Sequence, residues 1–127
     1  MKTFRNIVLA VILTISLGAI TQKANAQVNV DVSFNVFYNS LKPHGAWFNY
    51  GDFGMCWRPH GISISWQPYR DGHWIWTDYG WTWVSDYSWG WAPFHYGRWT
   101  YDEYYGWIWI PDYEWSPAWV QWRYDND

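Results

Sequence analysis

Short apolar runs that reverse at glycine dominate the chain after residue 45. In the clearest instance, Trp74-Ile75-Trp76-Thr77 and Trp81-Thr82-Trp83-Val84 lie on either side of Asp78-Tyr79-Gly80. Runs this short, rich in aromatic and β-branched residues and broken by Asp and Gly, predict two antiparallel strands and a tight turn. The glycine is then free to take a positive φ. Side chains of a strand alternate between faces, so Trp81 and Trp83 share one face and Thr82 and Val84 take the other.

The plan recurs three times. Gly-x-Trp occurs at Gly45-Ala46-Trp47, Gly72-His73-Trp74 and Gly97-Arg98-Trp99, at spacings of 27 and 25 residues. A second glycine follows at Gly54, Gly80 and Gly106, each opening a five-residue run. Trp-x-Pro closes the unit at Trp66, Trp91 and Trp115. Proline has no N–H to give a ladder, so this third element is expected to end the pairing. Residues 49–54 and 102–106 read as longer versions of the same turn. Three signatures in one fixed order identify a repeat architecture. In the third unit Trp107 and Trp109 face one way and Ile108 and Ile110 the other. In the first, Met55 and Trp57 match the tryptophans, and Cys56 and Arg58 match the aliphatics.

Before the repeats, residues 27–36 alternate strictly, with Val28, Val30, Val32, Phe34 and Val36 on one face. Period two over this length predicts a half-buried strand. Residues 37–41 break the alternation and fit one helical turn as well as extended chain, and Pro43-His44-Gly45 is a turn signal. Residues 118–123 have no fourth glycine. They read as a closing strand pairing with the N-terminal one, so that neither edge is left bare, and residues 124–127 as a frayed tail. The expected fold is all-β: three hairpin repeats of about 26 residues plus terminal strands, in a small barrel or pseudo-threefold assembly. An open repeat array is the alternative.

At 127 residues the chain holds one domain at most. Lys2 and Arg5 precede an apolar stretch at 7–20, and Ala24-Asn25-Ala26 is a small-x-small site ahead of Gln27. This is the pattern of a secretory signal peptide over residues 1–26. The apolar stretch is shorter than the roughly 20 residues that a membrane span needs; a retained anchor is the alternative. No cysteine stands near the site for lipid attachment. The expectation is an exported protein, in the periplasm, at the cell surface or outside the cell. Its domain would cover residues 27–123, with no membrane span after cleavage.

Loss of Lys2, Arg5 and Lys23 leaves 5 basic side chains against 11 acidic ones, a net charge of −6. That balance excludes nucleic acid as a partner and disfavours anionic lipid. A neutral or weakly cationic partner fits better. Cys56 stands alone, so no internal disulfide can form, and it is expected to be a small buried core residue rather than a reactive thiol. Order must come from aromatic burial. All 15 Trp lie between Trp47 and Trp122, and a large aromatic buries about 150–250 Å², with about 0.5–1.5 kcal/mol more in offset or edge-to-face pairs.

Residues 76–99, WTDYGWTWVSDYSWGWAPFHYGRW, resemble a family of Trp-rich bacterial exported repeat proteins. Its members carry YxWGxW-like units, GWxWxP repeats and a FYxxLxPYGxW start. The matching elements here are residues 37–47, 66–85, 89–99 and 106–123. His44 stands where Tyr is usual, Ser88 where Pro is common and Asp112 where Gly is common. The resemblance implies an exported bacterial module and carries over no activity, ligand or catalytic residue.

Candidate chemistry changes this picture little. Asp52, Asp78 and Asp102 sit in the same turn of successive repeats, and Asp71, Asp86 and Asp112 flank strands. Paired carboxylates could hydrolyse a glycan, but Asp at every turn is what turn chemistry alone predicts. His44, His60, His73 and His95 occupy non-equivalent places without metal-binding spacing. No nucleophile elbow surrounds Ser63, Ser65, Ser85 or Ser88, and there is no phosphate loop. No catalytic residue, metal or cofactor is expected. The tryptophans carry the functional expectation: a domain this small cannot hide every indole, and rows of exposed aromatics mark interaction surfaces. The candidate row is Trp74, Trp76, Trp81, Trp83, Trp107 and Trp109. Its expected partner is a polysaccharide or peptidoglycan, and the alternative is structural association with envelope proteins or with itself.

Overall fold

Each repeat folds as an antiparallel hairpin, as the glycine-broken runs predict. β1 (Gly45–Asn49) pairs with β2 (Met55–Pro59), β3 (Gly72–Thr77) with β4 (Gly80–Ser85), and β5 (Arg98–Asp102) with β6 (Gly106–Ile110). These elements come from a computed structural model that describes residues 32–124. The predicted signal segment, residues 27–31 of the predicted first strand and the last three residues lie outside that range. The glycines that open the return strands take the positive φ expected of them, 72° at Gly54, 92° at Gly80 and 76° at Gly106.

The first glycine of each unit has a different task. Across each ladder Trp47 faces Trp57, Trp74 faces Trp83 and Trp99 faces Trp109. The indole of the return-strand Trp lies against the glycine. A Cβ at Gly45 would come within 2.5 Å of the Trp57 ring, at Gly72 within 2.7 Å of Trp83, and at Gly97 within 2.8 Å of the Trp109 Nε1. Each would also collide with a backbone carbonyl, that of Arg58, Val84 or Ile110 respectively. Trp57, Trp83 and Trp109 are correspondingly buried, at 0%, 3% and 0% exposure. Gly-x-Trp is thus the seat and the cross-strand partner of one buried indole per repeat.

Beyond the hairpin the repeats diverge. β2 pairs with β6 at Trp57 and Trp109, giving one open sheet in the order β1-β2-β6-β5, while β3 and β4 form a separate two-stranded sheet. The architecture is all-β apart from one short helix, but neither the expected barrel nor a pseudo-threefold pairing forms among the described residues. The second hairpin meets the four-stranded sheet through its indole face and shares no ladder with it. The closing strand at 118–123 is also absent. Pro117 precedes the segment with no N–H to give, and the chain leading into it makes two isolated backbone bonds, from Trp83 N to Pro117 O (3.0 Å) and from Ser116 N to His95 O (2.9 Å), rather than a ladder. It docks by side chains: Trp119 Nε1 donates to His95 O at 3.0 Å, and the Trp122 ring lies 5.1 Å from Trp74. Trp-x-Pro does not itself stop the ladders, which already end at Pro59, Ser85 and Ile110.

The end of the predicted N-terminal strand is helical. α1 (Phe34–Leu41) includes Phe34 and Val36. The period-two pattern competes there with a stripe at i, i+3, i+4 and i+7, namely Phe34, Phe37, Tyr38 and Leu41. The stripe wins because it has a surface to cover. Phe37 meets Trp109 edge-on at 5.2 Å and Phe34 meets Trp47 at 5.3 Å, while the Leu41 carbonyl accepts the Trp57 indole N–H at 3.1 Å. Pro43 limits the helix, which passes into a 3₁₀ turn at Lys42–His44.

The rest of the tryptophan face is covered by the turn-rich segment 86–97. Phe94, 1% exposed, has ring centroids 5.0 Å from Tyr69, 5.7 Å from both Trp89 and Trp99, and 6.4 Å from Trp83. It joins the second hairpin to the four-stranded sheet. On the opposite face Cys56, Ile108 and Ile110 pack with Phe48 and Tyr50. Cys56 is fully buried and burial raises its thiol pKa, the inert core role that its strand position implies.

Candidate binding surface

The six tryptophans of the predicted row fall into two groups. Trp74, Trp76, Trp81 and Trp83 lie on one face of the β3–β4 hairpin, as edge-to-face pairs Trp74–Trp83 at 5.1 Å and Trp76–Trp81 at 5.5 Å. Trp107 and Trp109 belong to β6, in the other sheet. Trp83 and Trp109 are core residues, and Trp74 is half-buried between Tyr69 and Trp122. Trp76 and Trp81 stand out at the hairpin tip, 71% and 50% exposed. Trp107 is partly exposed and meets Tyr101 edge-on at 5.6 Å.

Around Trp107 the fold assembles more than the row. A cleft of about 370 Å³ is lined by the rings of Tyr69, Trp99, Trp107 and Trp119 together with Gln67, Gln121 and Arg98. Two of its three indoles are fixed by their own N–H groups: Trp99 Nε1 donates to Pro93 O at 2.9 Å, and Trp119 Nε1 to His95 O. Ring faces held this way lose little freedom on binding. Trp119 and Gln121 lie in the segment predicted as a strand, and Gln67 inside a Trp-x-Pro motif. Their only sequence signal is an amide close to Trp outside the strands. A second cleft, of about 330 Å³, is walled by Trp91 and Trp115, with Ser85, Ser88 and His95 at its rim. His95 stacks on Trp115 at 5.6 Å and its Nδ1 donates to Ser116 O at 2.9 Å, which fixes the tautomer.

Tyr69 ties the first cleft to the core. Its hydroxyl donates to Phe94 O at 2.9 Å and accepts from Trp119 N at 3.1 Å. Its φ of 60° is left-handed, a conformation costing a residue with Cβ about 1–2 kcal/mol. Burial pushes the hydroxyl up to about 12, against a small opposing effect from the Trp119 N–H. The unfolded chain ionises near 10, so this contribution to stability is complete below about pH 10 and disappears as pH rises towards about 12. Urea unfolding between about pH 9 and about pH 11.5 should therefore show wild type losing about 2 kcal/mol more than Tyr69→Phe.

The acidic groups serve the turns. Asp102 Oδ1 accepts from the backbone of Tyr104 and Tyr105, both at 2.8 Å, and Oδ2 accepts from the Tyr50 hydroxyl at 2.7 Å. The Tyr50 bond, then these N–H groups, hold the Asp102 carboxyl below its usual range, and the same bond raises Tyr50. Asp71 Oδ2 accepts from Tyr87, and Asp71 O accepts from Asp86 N at the base of the second hairpin. Among the described residues, no three His, Cys, Asp or Glu side chains gather where they could hold a metal ion, and no helix is long and apolar enough to cross a membrane.

The fold and these clefts define a small all-β domain with fixed aromatic surfaces. The chain belongs to a family of unknown function (DUF6600), whose match covers residues 38–127. No curated protein and no solved structure matches it.

Proposed function

We propose that the domain is a non-catalytic binding module for a glycan or cell-envelope polymer, acting outside the cytoplasm after removal of residues 1–26. The resemblance to Trp-rich exported bacterial proteins supports this reading. One observation carries the binding proposal: the Trp107–Trp119 cleft combines the hydrogen-bonded indoles of Trp99 and Trp119 and the ring of Trp107 with two amides and a guanidinium. Ligand sites are of this kind, apolar walls with a few placed polar groups, and indole faces suit the C–H faces of sugar rings. The negative balance of the chain favours a neutral polymer over an anionic one. The use of Asp102 in a turn and of Asp71 as the acceptor for the Tyr87 hydroxyl supports a role without catalysis.

The test is a calorimetric and tryptophan-fluorescence titration with soluble polysaccharides and peptidoglycan fragments. Trp107→Ala and Trp119→Ala should each weaken binding about tenfold, or about 1.4 kcal/mol. No response across the panel would remove the proposal. A second reading, self-association or docking to an envelope protein, is favoured by Trp76 and Trp81 at the hairpin tip. It predicts a discrete oligomer in sedimentation that Trp76→Ser dissolves.

A further inference from the structure

We infer that the Trp107–Trp119 cleft is the middle of three subsites for a linear, β-linked chain of gluco-configured sugars, laid along β5 with one ring in each cleft; this rests on the glycan reading above. The middle cleft shares Arg98 and Trp119 with a cleft of about 270 Å³ that is also lined by Pro111 and Asp112. It shares Trp107 with a third, of about 220 Å³, lined by Tyr101, Glu103, Tyr104 and Arg58. In chain order the three touch Gly97 and Arg98, then Arg98 and Trp99, then Tyr101 and Glu103, along β5, an edge strand of the four-stranded sheet. From Gly97 to Asp102, five steps of about 3.3 Å give roughly 17 Å, the reach of a short oligosaccharide rather than of one ring. The two flanking clefts, of about 270 and 220 Å³, fall below the small end of pockets that enclose a whole ligand, about 300 Å³, and the middle one, of about 370 Å³, lies just above it.

Charge narrows the class. One end carries Arg98 with Asp112 and the other Arg58 with Glu103, while the middle adds only Gln67 and Gln121 to Arg98. Donors and acceptors alternate without a large excess of either sign, which suits hydroxyl and acetamido groups and disfavours strongly charged polymers. Each cleft has an aromatic wall: Trp119 borders the first and the middle one, Trp107 the middle and the third, and Tyr101 and Tyr104 the third. Equatorially linked sugars offer an apolar C–H face at every ring, so a β-linked gluco chain can meet successive walls.

Calorimetry of the full chain with cello- and chito-oligosaccharides of one to four rings tests the assignment. Affinity should rise about tenfold per ring up to three and level off at four. Tyr104→Ala alters a side chain that is 86% exposed, so folding should be spared; it should bring three-ring affinity down to the two-ring value. Equal affinity for one ring and three would overturn the subsites and leave the glycan reading standing. Binding of neither series at any length, with a response to other polysaccharides, would overturn the sugar class alone, whereas silence to every glycan would remove both. Tight binding of a proline-rich peptide in place of the oligosaccharides would make the groove a peptide site and overturn the assignment.

Discussion

Gly45→Ala should cost the domain about 3 kcal/mol or more, a loss larger than that of any turn glycine. The backbone at Gly45 is extended, with φ −171°, so alanine meets no conformational penalty there. The cost comes from space. The added methyl would overlap the Arg58 carbonyl and the ring of Trp57, which is fully buried, hydrogen-bonded to Leu41 O and packed edge-on against Trp89 at 5.0 Å. Relief requires either that β1 part from β2 or that the indole leave its seat, and the seat lies beside the Trp57–Trp109 seam that joins the first hairpin to the third. Gly80→Ala is the comparison. Its φ of 92° strains an alanine, but nothing lies within 4 Å of the new Cβ, so about 1–2 kcal/mol is expected. Urea unfolding midpoints of the two variants decide the matter. A smaller loss for Gly45→Ala than for Gly80→Ala would show that the glycine-and-indole seat does not constrain the hairpin.

That contrast also shows what the sequence could disclose. Hairpins are local, written in alternation, in Asp-x-Gly turns and in run length, so three of them, their faces and the core position of Cys56 follow from the residues. Their mutual arrangement is not local. Nothing in the repeated signatures distinguishes the β2–β6 pairing from a threefold closure, because it depends on which surfaces the non-repeated segments cover. Phe34 and Val36 continue a period-two pattern and also begin a helical stripe, and only the need to cover Trp47 and Trp109 settles the choice. The same holds for the binding surface. Alternation fixes the face that Trp74, Trp76, Trp81 and Trp83 share but not whether that face is outermost. The middle cleft depends on Trp119, Gln121 and Gln67 arriving from irregular segments, where no periodicity speaks for position.

Phe94→Ala should produce a loss of similar size by a different route, about 3–5 kcal/mol, as expected for a fully buried phenylalanine. A lone two-stranded hairpin is marginal in water, so β3 and β4 depend on what their indole face meets. That face reaches the four-stranded sheet through Tyr69, Trp83 and Phe94, and Phe94 touches Trp89 and Trp99 beyond them. Removing the ring opens a cavity where the two sheets meet and leaves the ladders themselves intact. Loss of protection should therefore be uneven: amide exchange should accelerate most in β3 and β4, less in β2 and β6. Phe94→Leu, which fills part of the space, should restore much of the stability and most of that protection. If both sheets lost protection equally in Phe94→Ala, the second hairpin would be held by contacts other than this ring. The docked segment that carries Trp119 and Trp122 would then be the next to remove. Because Tyr69 and Trp99 line the Trp107–Trp119 cleft and also pack on Phe94, the cavity variant should weaken binding of the proposed glycan as well, which a purely peripheral site would not show.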